Sequence, residues 1–203
     1  MTAHDPYEPL IDLNLRRPIW ERFFQVAPLV LIGTRDEDGG CNLAPKHMVG
    51  PLGWENYFGF ICTPSHRTYQ NLQREGSFAV SYLRPTQVIL ASLAAAGRAD
   101  DGTKPALQAL PTFAARQVEG CFVQDAYLLL ECELERVVEG FGDSSLIVGH
   151  IVAAHAHPDA LRSADGDDSA LLQRAPLLAY LHPGRFARID DSLSFPFPVD
   201  FER

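Results

Sequence analysis

The 203-residue chain has no surplus of positive charge: 17 Lys and Arg stand against 26 Asp and Glu, a formal net charge of −9 at pH 7. Nucleic-acid backbones are held by clustered cations, so this deficit speaks against a nucleic-acid surface. No apolar run approaches the ~20 residues needed to span a bilayer. The opening MTAHDPYEPLIDL has neither the basic start nor the apolar stretch of a secretory signal, which makes a cytoplasmic protein with no membrane partner the expectation. The four cysteines, Cys41, Cys62, Cys121 and Cys132, form no C-x-x-C pair and no zinc spacing, and read as buried, reduced thiols. Internal repeats are missing. So is a G-x-G-x-x-G after a strand, which removes a Rossmann site for a dinucleotide. His155-x-His157 would set two imidazoles on one strand face, yet no third ligand joins them, so no metal is expected.

What is present suits one good core. A hydrophobic share of 46% in a chain of this length supports a single domain over residues 1–203, undivided by any linker. Pro28 to Arg35 is rich in aliphatic and β-branched residues and stops at Asp36-Glu37-Asp38-Gly39-Gly40, where glycine supplies the positive φ of a hairpin. A second strand then starts near Cys41. Pro45 lacks a ladder donor, so this strand is expected at an edge or a bulge, with main chain free to face a ligand. Tyr57 to Thr63 reads as the next strand. His66 to Arg74 reads as a helix with Ser65 as its N-cap and Gly76 just past its last turn. The unpaired N–H groups of that first turn, with Ser65, Arg67 and Thr68, make a site for a phosphate. Ser77 to Leu83 returns as a strand with Phe78, Val80 and Tyr82 on one face.

Further along, Arg17 to Phe24 suggests a short helix whose Trp20, Phe23 and Phe24 pack on the barrel. Thr86 to Ala96 and Lys104 to Leu110 suggest two more helices, so that residues 84–120 form a helical insertion whose Phe113 or Arg116 covers a ligand. Tyr127 to Val138 alternates Leu128, Leu130, Cys132 and Leu134 with Glu131, Glu133 and Glu135, as in a sheet with one solvated face. The loop Ala164 to Ser169 lacks the spacing of an EF-hand and reads as a solvated turn. The Phe-Pro repeat of the tail SFPFPVDF excludes a helix and suggests an extended segment.

The first part of the chain resembles the flavin reductase-like, FMN-binding split-barrel family. The resemblance rests on Asp38-Gly39 leading into Asn42-Leu43-Ala44-Pro45, on Thr68 with Asn71-Leu72, and on Gly76 with Phe78 and Val80. It continues more weakly through Ile147 to Val152 and Pro176 to Phe186. It implies a mainly β (α+β) fold, an antiparallel split β-barrel of Greek-key type with peripheral helices, forming a homodimer. It also implies an FMN whose ring lies along Asn42, Leu43, Ala44, Pro45, Lys46 and His47, with its phosphate at Thr63, Ser65, Arg67, Thr68 and Asn71. Two positions depart from the family pattern: His47 replaces a small hydroxyl residue, and Ser81 replaces an asparagine. The implied activity is hydride transfer from NADH or NADPH to flavin, with a possible oxygenase partner and with His47 and His150 as candidate catalytic side chains. The alternative is a flavin- or haem-binding carrier or sensor, in which those imidazoles ligate iron or hydrogen-bond the ring.

Overall fold

Alternating apolar side chains sort the strands onto two sides of one curled antiparallel sheet. The computed structural model describes residues 9–100, 102–163 and 166–198. In chain order the strands are β1 (Gln25–Pro28), β2 (Val30–Arg35), β3 (Cys41–Lys46), β4 (Val49–Pro51), β5 (Tyr57–Cys62), β6 (Ser77–Tyr82), β7 (Thr112–Ala114), β8 (Cys121–Val123), β9 (Leu128–Phe141), β10 (Ser144–Ala156), β11 (Leu177–His182) and β12 (Arg185–Ile189). The helices are α1 (Arg67–Glu75), α2 (Val88–Ala94) and α3 (Asp168–Arg174). The main sheet has the order β3-β2-β6-β9-β10-β5-β4, while β1-β11-β12 and β7-β8 form two smaller sheets.

Each face of this sheet has its own core. Val30, Ile32, Phe58, Phe60, Phe78, Val80, Leu130, Cys132 and Ile147 fill the inner one, which Leu72 of α1 closes. Leu29, Leu31, Leu43, Leu83, Cys121 and Val123 form the outer one, under Ala91 and Ala94 of α2 and Leu178 of β11. Neighbouring residues of β2 therefore serve opposite cores, and a one-residue slip would exchange them. The β2–β3 hairpin turns on Gly39 at φ 83°. At Gly33 a Cβ would lie 1.8 Å from the Cys121 carbonyl oxygen, so only glycine lets β8 approach β2 this closely.

Several expectations change here. Cys41 and Cys121 are not reduced thiols but a disulfide, with Cα atoms 5.9 Å apart, while Cys62 and Cys132 are free and buried as expected. Their 80-residue separation hid the pairing, because only the packing of β8 on the hairpin brings them together. Arg17 to Phe24 forms turns, and Trp20, Phe23 and Phe24 remain largely exposed, since a segment this short does not hold a helix without a surface to pack on. The 84–120 insertion is only partly helical: α2 is present, residues 105–109 form a 3-10 turn, and the hairpin β7–β8 follows. The stretch from Pro176 to Phe186 is two strands joined by a turn. Asp167 caps α3 through the amides of Ser169 and Ala170, while Ala164 and Asp165 lie outside the described residues, as do residues 1–8 and 199–203.

The alternation of β9 holds, but its acidic face is not uniformly solvated. Glu131 is completely buried, and its Oε2 accepts from the main-chain N–H groups of Arg116, Gln117 and Val118 at 2.5–3.2 Å. The β7–β8 loop thus covers this carboxylate, and Phe113 packs on Phe122. His155 Nε2 approaches the other oxygen at 3.6 Å. Replacing Glu131 with Leu should strand three amides and cost about 2–4 kcal/mol in urea denaturation. Unchanged stability would show that the loop finds other partners.

Candidate functional site

The bond from Asp36 N–H to the Gly40 carbonyl, 2.8 Å, sets the phase of the hairpin ladder. Counting along the register turns the main-chain groups of Asn42, Ala44 and Lys46 towards β2 and those of Leu43 and Pro45 outward. Pro45 therefore loses no ladder bond. This matches the expected edge strand. Lys104 Nζ takes the outward Leu43 carbonyl at 3.1 Å. Side chains follow the other alternation: Asn42, Ala44 and Lys46 face the α1 side, while Leu43, Pro45 and then His47 face the α2 side.

Asn42 and Asn71 are buried and fully engaged with the protein. Asn42 Nδ2 donates to Thr34 Oγ1 at 3.0 Å and to Thr68 Oγ1 at 3.2 Å, and Asn42 Oδ1 accepts from Arg98 Nη2 at 2.8 Å. Asn71 Nδ2 donates to Thr34 Oγ1 at 3.1 Å and to Asp36 Oδ1 at 2.8 Å, and its Oδ1 accepts from Arg74 Nη1 at 3.2 Å. Arg98 Nη2 also pairs with Asp36 Oδ2 at 2.8 Å. Neither carboxamide has a donor left for a ligand. Both tie α1 to the hairpin, and the Asn42 carboxamide, expected at a ring edge, is engaged by protein groups. Leu43 is likewise a core side chain with no exposure.

The start of α1 is open. Its N-cap residue is His66, not Ser65, and no side chain caps the helix. Thr63 and the exposed Ser65 lead into it, and the hydroxyl of buried Thr68 lies in its first turn. Lys46 stands beside Cys62 and His66. Burial pushes the Cys62 thiol up against the pull of the Lys46 ammonium, and burial followed by that same charge lowers the His66 pKa. Arg67 adds a second cation, with only an exposed Glu37 at 3.6 Å. A cavity of about 480 Å³ adjoins it, lined by Asp36, Glu37, Asp38, Arg67, Arg98 and Lys104 among others. Uncapped amides, hydroxyls and two cations together can hold a dianion.

His47 lies on the opposite side. Its ring stacks on His182 with centroids 5.2 Å apart and planes 14° apart, and leans on Tyr180 at 4.7 Å. Burial, then the charges of His182 and Lys46, lower its pKa. His182 and Tyr180 escaped the sequence reading, because nothing in β11 signals which loop it packs on. His150 is exposed on β10 against Tyr57, four strands from β3 in the sheet order. Ser81 is fully buried, and its hydroxyl accepts from the Val123 amide at 3.2 Å, so it fastens β8 to β6. No group of three or more His, Cys, Asp or Glu able to hold a metal occurs among the described residues.

The family model of the flavin reductase like domain matches residues 25–189, from β1 through β12. The chain belongs to the flavin reductase-like family. Similar solved structures include a flavoredoxin from Methanosarcina acetivorans, 19% identical over 93% of this chain and 96% of that one, with a TM-score of 0.74. An FMN-binding protein from Thermus thermophilus is 20% identical over 92% and 100%, with a TM-score of 0.74. An NADH:FAD oxidoreductase from Streptomyces globisporus is 17% identical over 91% and 95%, with a TM-score of 0.67. Likeness at this level establishes the split-barrel flavin reductase fold.

Two measurements test this flavin reductase-like site. Asn42→Ala should lower stability by about 2 kcal/mol in denaturant, since buried Thr34 and Thr68 and half-buried Arg98 lose their bonds; an unchanged midpoint would return Asn42 to the ligand. His47 has a folded pKa below its unfolded value near 6.5. Above that value both states are neutral and nothing is lost. As pH falls below it, the unfolded state takes the proton first and stability declines. The Tm should therefore drop from pH 7 to 5, and drop less in His47→Gln; parallel slopes would contradict the assignment.

Proposed function

We propose that the chain is an FMN-binding oxidoreductase of flavin reductase type that moves a hydride from NADH or NADPH to flavin. The observation that carries this reading is the uncapped start of α1, ringed by Lys46, Arg67, Thr63 and Ser65, at the side of an edge strand with outward main chain. Lys46 and Arg67 hold the phosphate by charge, and Thr63, Ser65 and Thr68 offer hydroxyls. The outward Leu43 N–H and Pro45 carbonyl meet the polar edge of a planar ring, and the short side chain of Ala44 leaves room beside it. Asn42 and Asn71 keep strand and helix in register. Bound FMN supplies hydride acceptance and onward electron transfer, so the protein needs alignment and charge more than an acid-base pair. His47, on the α2 side of the strip, and His150, on β10, have no part in this reading.

The homodimer that the family resemblance implies is part of this reading, and the exposed side chains of Val26, Met48 and Trp54 are its candidate contacts. An oxygenase that consumes the reduced flavin is the partner class this chemistry serves. No helix among the described residues is long and apolar enough to cross a membrane.

Fluorescence titration of apoprotein provides the test. Arg67→Ala should weaken FMN by about tenfold or more, the loss of one charge-assisted hydrogen bond, and leave riboflavin unaffected. Equal losses for both ligands would remove the phosphate from α1. Bleaching of the bound flavin by NADH or NADPH under nitrogen separates a reductase from a carrier, which would stay oxidised.

A further inference from the structure

On the α2 side of β3 lies a groove of about 330 Å³ that the flavin reading leaves unused, within the size range of small-molecule sites. Its walls are apolar and flat: Leu29 and Pro45 from the hairpin region, Val88, Ala91 and Ala95 from the small-residue face of α2, and the rings of Tyr180 and Phe186. In a chain of net charge −9, no Asp or Glu lines it. Its one full charge is Arg185 at the start of β12. That guanidinium has no hydrogen bond or ion pair among the described residues, whereas Arg188 on the same strand pairs with Asp190 at 2.9 Å. The exposed Ser92 adds a hydroxyl. His47, which also lines the groove, carries a buried Nε2 without a partner, and the stacked His182 a buried Nδ1 in the same condition.

We propose that this groove binds a small aromatic carboxylate, its ring between α2 and the Tyr180 and Phe186 rings and its carboxylate on Arg185. The shape selects a flat apolar body, because small side chains on α2 face aromatic ones across the gap. The charge selects an anion, because a free cation stands at the rim and no acid opposes it. The imidazole of His47 adds a further flat wall to the groove. Pro45 borders both this groove and the edge strip, so an occupant would lie next to the ligand of β3. The site itself does not depend on flavin.

Calorimetric titration of the purified full chain with sodium benzoate tests this, with benzamide as the neutral analogue. Benzoate should bind saturably, and Arg185→Gln should weaken it about tenfold while leaving benzamide unchanged. Ser92→Phe, which fills the groove from an exposed helix position, should abolish both and leave FMN affinity intact. Absence of saturable benzoate binding overturns the proposal, as does equal benzoate affinity in the wild type and Arg185→Gln. If Ser92→Phe instead converts a dimer to a monomer in sedimentation and leaves benzoate binding intact, the groove belongs to a second copy of the chain and the proposal also fails. Failure of the flavin reading would look different: FMN would not bind to the wild type, and benzoate still would.

Discussion

Two buried carboxamides hold the functional end of this molecule together. Asn42 of β3 and Asn71 of α1 share the hydroxyl of Thr34 as acceptor, and Arg98 and Arg74 take their oxygens. Every polar atom of both side chains is used. Sliding α1 along the hairpin would leave amide groups buried without partners, at about 1–3 kcal/mol each, so helix and strand move as one body. The open amides at the start of α1 are thereby fixed relative to the edge of β3. The proposed phosphate at one and ring along the other would require that fixed distance.

The division of β2 and β3 into an inner and an outer face assigns work to each residue. Inward positions carry the network and Lys46, beside α1; outward positions carry the disulfide, Leu43, Pro45 and His47, beneath α2 and β11. One strand edge thus separates a charged cradle from an apolar groove. Pro45 marks the seam, since at an outward edge position its missing donor costs no ladder bond. The close approach at Gly33 belongs to the same scheme, because it lets β8 lie against β2 and bring Cys121 to Cys41.

Local patterning made most of the barrel legible. The Asp-Gly turn, the edge-strand proline, the αL residue Gly76 after α1 and the alternation of β9 all express short-range rules, and each appears where those rules put it. What the sequence did not show depended on distant partners. Asn42 and Asn71 were read as ligand contacts because a sequence cannot show that Arg98, 56 residues beyond Asn42, occupies the amide oxygen. Glu131 was placed in solvent because its alternation is correct for an open sheet, and only the loop of residues 116–118 shows that the face is covered. His47 was placed at the ring by position in a motif, but one residue beyond Lys46 parity carries it to the other side. The cation pair at α1 was legible for Arg67 from its helix position, and for Lys46 only as a member of the resembling strip.

For an acidic chain to hold the proposed phosphate, local charge must outweigh global charge. The acids nearest the cradle, Asp36 and Glu37, are the natural competitors. Asp36 is occupied by Arg98 at 2.8 Å and by Asn71, so its charge is spent inside the network. Glu37 remains, 3.6 Å from both Arg67 and Arg74, with most of its side chain in water. Exposed pairs of that kind contribute about 0–1 kcal/mol, and salt screens them further. A charge-assisted bond to a phosphate contributes about 1.5–3 kcal/mol, and the open helix start adds to it. The guanidinium of Arg67 therefore leaves Glu37 for a phosphate at little cost. Glu37 and the exposed Asp38, which lines the same cavity, would then face the proposed anion as solvent-screened carboxylates, against the pull of Lys46 and the α1 amides.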